Sequence, residues 1–131
     1  MSLSNIDKLE KFSQVFYCGS LLLAPAWWLS DNFVDQSVAS ARELHVCNVV
    51  GVLVGCILAI TGWARMSAKI GSKDMANLDY LGAGAWGACG LLTLRGVSLY
   101  KADKFFVNVG LQLGLAGAYY YQGKKRAEKK D

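Results

Sequence analysis

The chain has 131 residues, 53% of them hydrophobic and only 18% charged, with 14 glycines, 1 proline and a formal net charge of +4. Globular proteins carry about 25% charged residues, and a disordered chain would be charged and poor in aromatics, so disorder is excluded. The 4 cysteines form no Cys-x-x-Cys pair, which argues against a disulfide-rich secreted module.

The first residues, MSLSNIDKLEK, set Asp7 and Glu10 beside Lys8 and Lys11 and contain no apolar stretch and no arginine. They do not read as a cleavable signal. Ser4 and Asp7 resemble a capping box, which predicts a helix starting there and running on into the apolar segment after Lys11.

Beyond this point the charges are unevenly spread. Asp, Glu, Lys and Arg are absent from 12–30, 44–64, 80–94 and 105–123. A helix of about 20 apolar residues crosses the hydrocarbon layer of a bilayer, and backbone amides in hydrocarbon must be paired within the helix. The expected fold is therefore an all-α integral membrane protein. It has four transmembrane helices near 12–30, 44–64, 78–100 and 104–122, short loops and a basic tail at 123–131. The third span reaches full length only by including Arg95. A water-soluble helical bundle is the alternative, but Val49 to Ile60 offers no polar face.

The flanks of the four segments fit this expectation. Trp27, Trp28, Trp63 and Tyr119 to Tyr121 lie near predicted span ends, where amphipathic rings suit an interface. Asn77 or Asp79 would cap the third helix. Pro25 removes a backbone bond and predicts a kink before Trp27.

Four spans place both termini and the 65–77 loop on one side. That side holds Lys8, Lys11, Arg65, Lys69, Lys73, Lys124, Lys125, Arg126, Lys129 and Lys130, against Arg42, Lys101 and Lys104 on the other. Basic residues stay on the matrix, cytoplasmic or stromal side during insertion, so both ends are expected there.

Small residues are the expected packing surfaces. Gly51 and Gly55 recur four apart in the second span; Gly110 and Gly114, extended by Gly117, do so in the fourth. The third contains GAGAWGACG, with Gly82, Gly84, Gly87 and Gly90. Such stripes let helix backbones approach closely, and lipid or a pigment or quinone could also fill a groove of this kind. Arg95, Lys124, Lys125 and Arg126 are the expected contacts to another subunit or to lipid headgroups.

The remaining candidates read as structural. His45 has no second metal ligand at helical spacing. Cys18, Cys47, Cys56 and Cys89 read as small packing residues, with Cys47 and Cys56 on opposite sides of one helix. Gln112 and Asn108 could hydrogen-bond across a helix interface, with Asn108 near a wet edge. No paired carboxylates, Ser/His/Asp set or phosphate loop is present, and no nucleic-acid motif accompanies the basic tail.

The expected function is a non-catalytic accessory subunit of a large energy-transducing membrane complex. A mitochondrial inner-membrane respiratory complex or supercomplex, or the membrane region of ATP synthase, is favoured within that class. It would pack against other membrane subunits and bind phospholipid such as cardiolipin, with no intrinsic cofactor, metal, nucleic acid or small-molecule substrate. The alternatives are a small oligomeric transporter or channel and a pigment-binding photosystem or antenna subunit of the thylakoid.

Overall fold

A computed structural model describes residues 5–34, 40–66 and 72–128, although not every side chain at the ends of the helices or within the third. The elements in order are α1 (Asn5–Leu23), α2 (Pro25–Asn32), α3 (Ala41–Met66), α4 (Ser72–Arg95), a short 3-10 turn (Val97–Leu99) and α5 (Ala102–Ala127). The described residues are almost entirely helical, in line with the all-α expectation.

Among the described residues, no helix is long and apolar enough to cross a membrane. This overturns the four spans at 12–30, 44–64, 78–100 and 104–122. The multi-pass placement in a mitochondrial inner or thylakoid membrane, and the charge-based topology built on those spans, fall with them. The physical reasons differ by segment.

The first segment is broken. Proline lacks an N–H and pushes the preceding residue out of helical geometry. Ala24 accordingly adopts φ −142° and ψ 52°, α1 stops at Leu23, and Pro25 opens the separate helix α2. The expected kink is thus a full break. Helix α3 (Ala41–Met66) carries Arg42, Glu43 and His45 in its opening turns and Arg65 at its end. Helix α4 begins early enough to include Lys73, Asp74 and Asp79, and it ends at Arg95. Helix α5 runs from Asp103 and Lys104 through Asn108, Gln112 and Gln122 to Lys124, Lys125 and Arg126. A stretch free of formal charge is not thereby strongly apolar, since Gly adds little to transfer into hydrocarbon and the amides of Asn and Gln oppose it.

The helices pack as two antiparallel pairs. In the α4–α5 pair, Gly82 faces Tyr119, Gly87 faces Ala116 and Gly90 faces Leu113. Thr93 Oγ1 donates to Gln112 Oε1 at 2.7 Å in the same register. In the α1–α3 pair, Leu22 lies over Gly51, and Cys18 lies over Gly55. The Cys18 thiol donates to the Gly51 carbonyl at 3.2 Å.

Helix α2 and the 3-10 turn close one end. Val34 N donates to Leu99 O at 2.8 Å and Lys101 N to Asn32 O at 3.0 Å, forming an isolated antiparallel bridge between Phe33 and Tyr100. Lys104 pairs with Asp31 at 2.7 Å across the same end. The start of α3 is capped by a Ser-x-x-Glu box: Ser40 N and Oγ donate to Glu43 Oε2 at 2.6 and 2.8 Å, and Glu43 N returns to Ser40 Oγ at 3.3 Å. The capping box expected at Ser4 lies outside the described residues, as do Lys69, Lys129, Lys130 and the side chain of Trp63.

Candidate functional site

Polar groups lie at the centre of the molecule beside the buried Leu21, Met75 and Leu115. Asp7, Glu10, Ser13, Asn32, Asp79, Thr93 and Asn108 are all buried, and Tyr119 is fully so. Burying such groups is costly unless each is hydrogen-bonded, and the helix register supplies the partners.

Glu10 is the hub that joins α1 to both helices of the other pair. Tyr119 Oη, from α5, donates to Glu10 Oε2 at 2.5 Å and also reaches Asp7 Oδ1 at 3.3 Å. Trp86 Nε1, from α4, donates to Glu10 Oε1 at 3.2 Å, and Gln14 Nε2 from the next turn of α1 does so at 3.3 Å. All these donors are neutral. Asp7 stands in the first turn of α1, where the helix dipole favours an acid.

A second knot fixes the far end of the α4–α5 pair. Asp79 accepts from Arg126 Nη1 at 2.8 Å and from Gln122 Nε2 at 3.1 Å. A third holds the closed end. Tyr17 Oη donates to Asn108 Oδ1 at 2.5 Å, while Asn108 Nδ2 donates to Asn32 Oδ1 at 3.0 Å and Lys104 O at 2.8 Å. Burial pushes the Tyr17 phenol up to about 12, with Tyr100 and Cys89 adding to the shift.

Between the two helix pairs lies a partly open cleft of about 430 Å³. Leu21, Val50, Val54, Leu78 and Leu81 are among its apolar lining, and Glu10, Gln14 and Trp86 supply polar groups. Gln14 Oε1 is buried without a hydrogen-bond partner. This size and mixture fit a small-molecule pocket.

The expected packing glycines are divided. A Cβ at Gly51 would lie 2.8 Å from Leu22 Cγ, and at Gly55 3.2 Å from the Cys18 sulfur. Gly82, Gly87 and Gly90 face α5, against Tyr119, Ala116 and Leu113 respectively. Gly84, Gly110, Gly114 and Gly117 face open space.

The expected contact cations are also divided. Arg126 is committed to Asp79 within the chain. Lys124 and Lys125 are exposed, with Lys125 Nζ 4.6 Å from the Tyr121 ring centroid. Arg95 is exposed at the last turn of α4, where the helix dipole favours a cation.

His45 is exposed, and among the described residues no group of His, Cys, Asp and Glu could hold a metal. Cys47 is buried while Cys56, on the opposite side of α3, is exposed. Burial, and then Glu43, push the Cys47 thiol up.

Sequence reasoning misses the sites that hold the helices together. Asn108 is buried at a helix junction rather than wet. Glu10 reads from the sequence as a flanking charge and Asp79 as a helix cap, yet both point inward. The Ser40–Glu43 box is spelled out locally as Ser-x-x-Glu, but it is not among the expected caps. Acids spaced to meet Tyr119 and Arg126 have no local signal, because those partners are far away in sequence. Comparison with known proteins gives no match: no family model, curated protein or solved structure is similar to this chain.

Proposed function

We propose that this chain is a non-catalytic accessory subunit of a large assembly, with its outer helix faces covered by neighbouring subunits and by lipid held among them. One observation carries this reading: the distribution of side chains is inverted. Phe12, Leu23, Leu81, Leu91, Leu92 and Phe106 are each 65% or more exposed, whereas Asp7, Glu10 and Asp79 are inside. Exposed apolar side chains on this scale mark an interaction surface. They occur on α1, α4 and α5 together, so the cover must come from several directions.

The energy-transducing membrane complexes suggested by the sequence supply such a setting, with subunits and bound phospholipid side by side. Lys124 and Lys125 are exposed and can meet a headgroup phosphate or an acidic patch of a partner. Arg126 is held by Asp79 through Nη1 and remains partly exposed.

The test is a native gel of the source membranes and extract in mild detergent, with mass spectrometry of the bands. Co-migration with a large complex is expected. Recovery of the chain only as a lone monomer under conditions that keep known large complexes intact would overturn the proposal.

A further inference from the structure

We propose that the cleft between the two helix pairs binds an amphipathic amine, with the ammonium head on Glu10 and the apolar tail along α3 and α4. This inference is independent of the accessory-subunit reading, since it concerns a site within one chain.

The first support is shape. The cleft has about 430 Å³, and Val50 and Val54 from α3 face Leu78 and Leu81 from α4 across it. These side chains suit an alkyl or aryl body. The second support is the unmatched charge on one wall. Glu10 is only 7% exposed. Its donors are Tyr119, Trp86 and Gln14, all of them neutral. A buried carboxylate is strongly disfavoured until a cation or a full set of donors compensates it.

A carboxylate offers about four acceptor sites. Trp86 and Gln14, which line the cleft, donate to Oε1, and Tyr119 donates to Oε2, so three of these sites are filled and one remains. No Lys, Arg or His stands among the described lining residues. The third support is the buried Gln14 Oε1, which has no partner and belongs to the same wall. A primary ammonium brings one positive charge and three N–H donors, enough for Glu10 and Gln14 together. A carboxylate or phosphate head would meet like charge and set acceptors against acceptors with no donor between them. An uncharged alcohol would satisfy one acceptor and leave the charge unmatched.

The experiment uses the full chain and three probes of one tail length, n-decylamine, n-decanol and n-decanoate, each below its micelle concentration at neutral pH. Binding is followed by calorimetry. The amine is expected to bind at one site, about tenfold tighter than the alcohol, as a charge-assisted hydrogen bond allows. Decanoate is expected to bind more weakly than the alcohol. Glu10→Gln should erase the preference of amine over alcohol. Ala85→Trp, or Val54→Trp should the first fail to fold by circular dichroism, should remove amine binding by filling the cleft.

The proposal is overturned if decanoate matches the amine on the unsubstituted chain. Persistence of the amine preference in folded Glu10→Gln would overturn it as well. So would full binding in a folded cleft-filling variant, which would place the amine on the outer apolar surface. The order of the three probes is read on the native chain and does not depend on any variant folding.

Discussion

At the scale of single residues, stability rests on polar side chains brought together from distant positions. Tyr119 is fully buried, its ring lies 3.5 Å from where a Cβ on Gly82 would be, and its hydroxyl serves Glu10. Tyr119→Phe keeps the ring and leaves a buried carboxylate short of its closest donor. We expect a loss of about 1–3 kcal/mol in urea unfolding. A change within error would mean that water reaches Glu10 in place of the hydroxyl.

Tyr17 gives a pH test. Its phenol is raised from 10.0 to about 12 by burial and, secondarily, by Tyr100 and Cys89. A group whose folded value is raised contributes fully below its unfolded value and loses that contribution as the pH climbs through the folded one. Stability is therefore expected to fall as the pH rises from 10 toward 12. Tyr17→Phe should remove the late-titrating phenol from the ultraviolet absorbance titration and flatten this part of the stability profile. A phenol that titrates at its ordinary value would show that the Tyr17–Asn108 junction is open to water.

Among the helices, glycines with the same sequence spacing do different things. Gly51 is buried, and a Cβ there meets Leu22 Cγ at 2.8 Å and Leu21 Cβ at 3.2 Å, so α1 would have to move outward. Gly114 is exposed, with nothing within 4 Å. Overpacking costs about 1–3 kcal/mol, whereas replacing an unconstrained helical glycine with alanine stabilises by roughly 0.5–1 kcal/mol. Thermal unfolding of the isolated chain should thus show a lower midpoint for Gly51→Ala and a higher one for Gly114→Ala. The reverse ranking would invalidate the assigned helix faces. If a neighbouring subunit packs on the Gly110–Gly114–Gly117 face, the same Gly114→Ala change would weaken assembly while stabilising the free chain.

The break at Pro25 belongs to the same scale. It separates α2 from α1, and Trp28 meets Tyr17 and Phe33 edge to face, at ring separations of 6.5 and 5.8 Å. A continuous helix would carry these rings past the end of the bundle.

For the molecule as a whole, the α4–α5 hairpin is the most closely packed unit. It holds the approaches at Gly82, Gly87 and Gly90, the Thr93–Gln112 bond and the Asp79–Arg126 pair. The α1–α3 pair is joined to it through the hydrogen bonds of Glu10 and Tyr17, with the cleft left open beside them. Local opening should follow this order, because the least-packed segments open at the lowest free energy. Amide hydrogen exchange is expected to be slowest where α4 and α5 face each other, around 82–93 and 112–119, and fastest in α2. Faster exchange in the hairpin than in α2 would contradict the packing.

The amino-acid order by itself determined that the chain is helical, where most helices lie, and that Gly51, Gly82, Gly87 and Gly90 stand at positions fit for close approach. Those properties depend on local composition and spacing. The Ser-x-x-Glu cap and the proline break are equally local, and the information for both was present. Only the tertiary structure decided which glycine stripe is covered and that Asn108 is buried. It also decided that Glu10 and Asp79 point inward and that a cleft separates two helix pairs. Those outcomes depend on partners many residues away, such as Tyr119 for Glu10 and Arg126 for Asp79, and an uncharged run carries no mark of what its polar neighbours will meet.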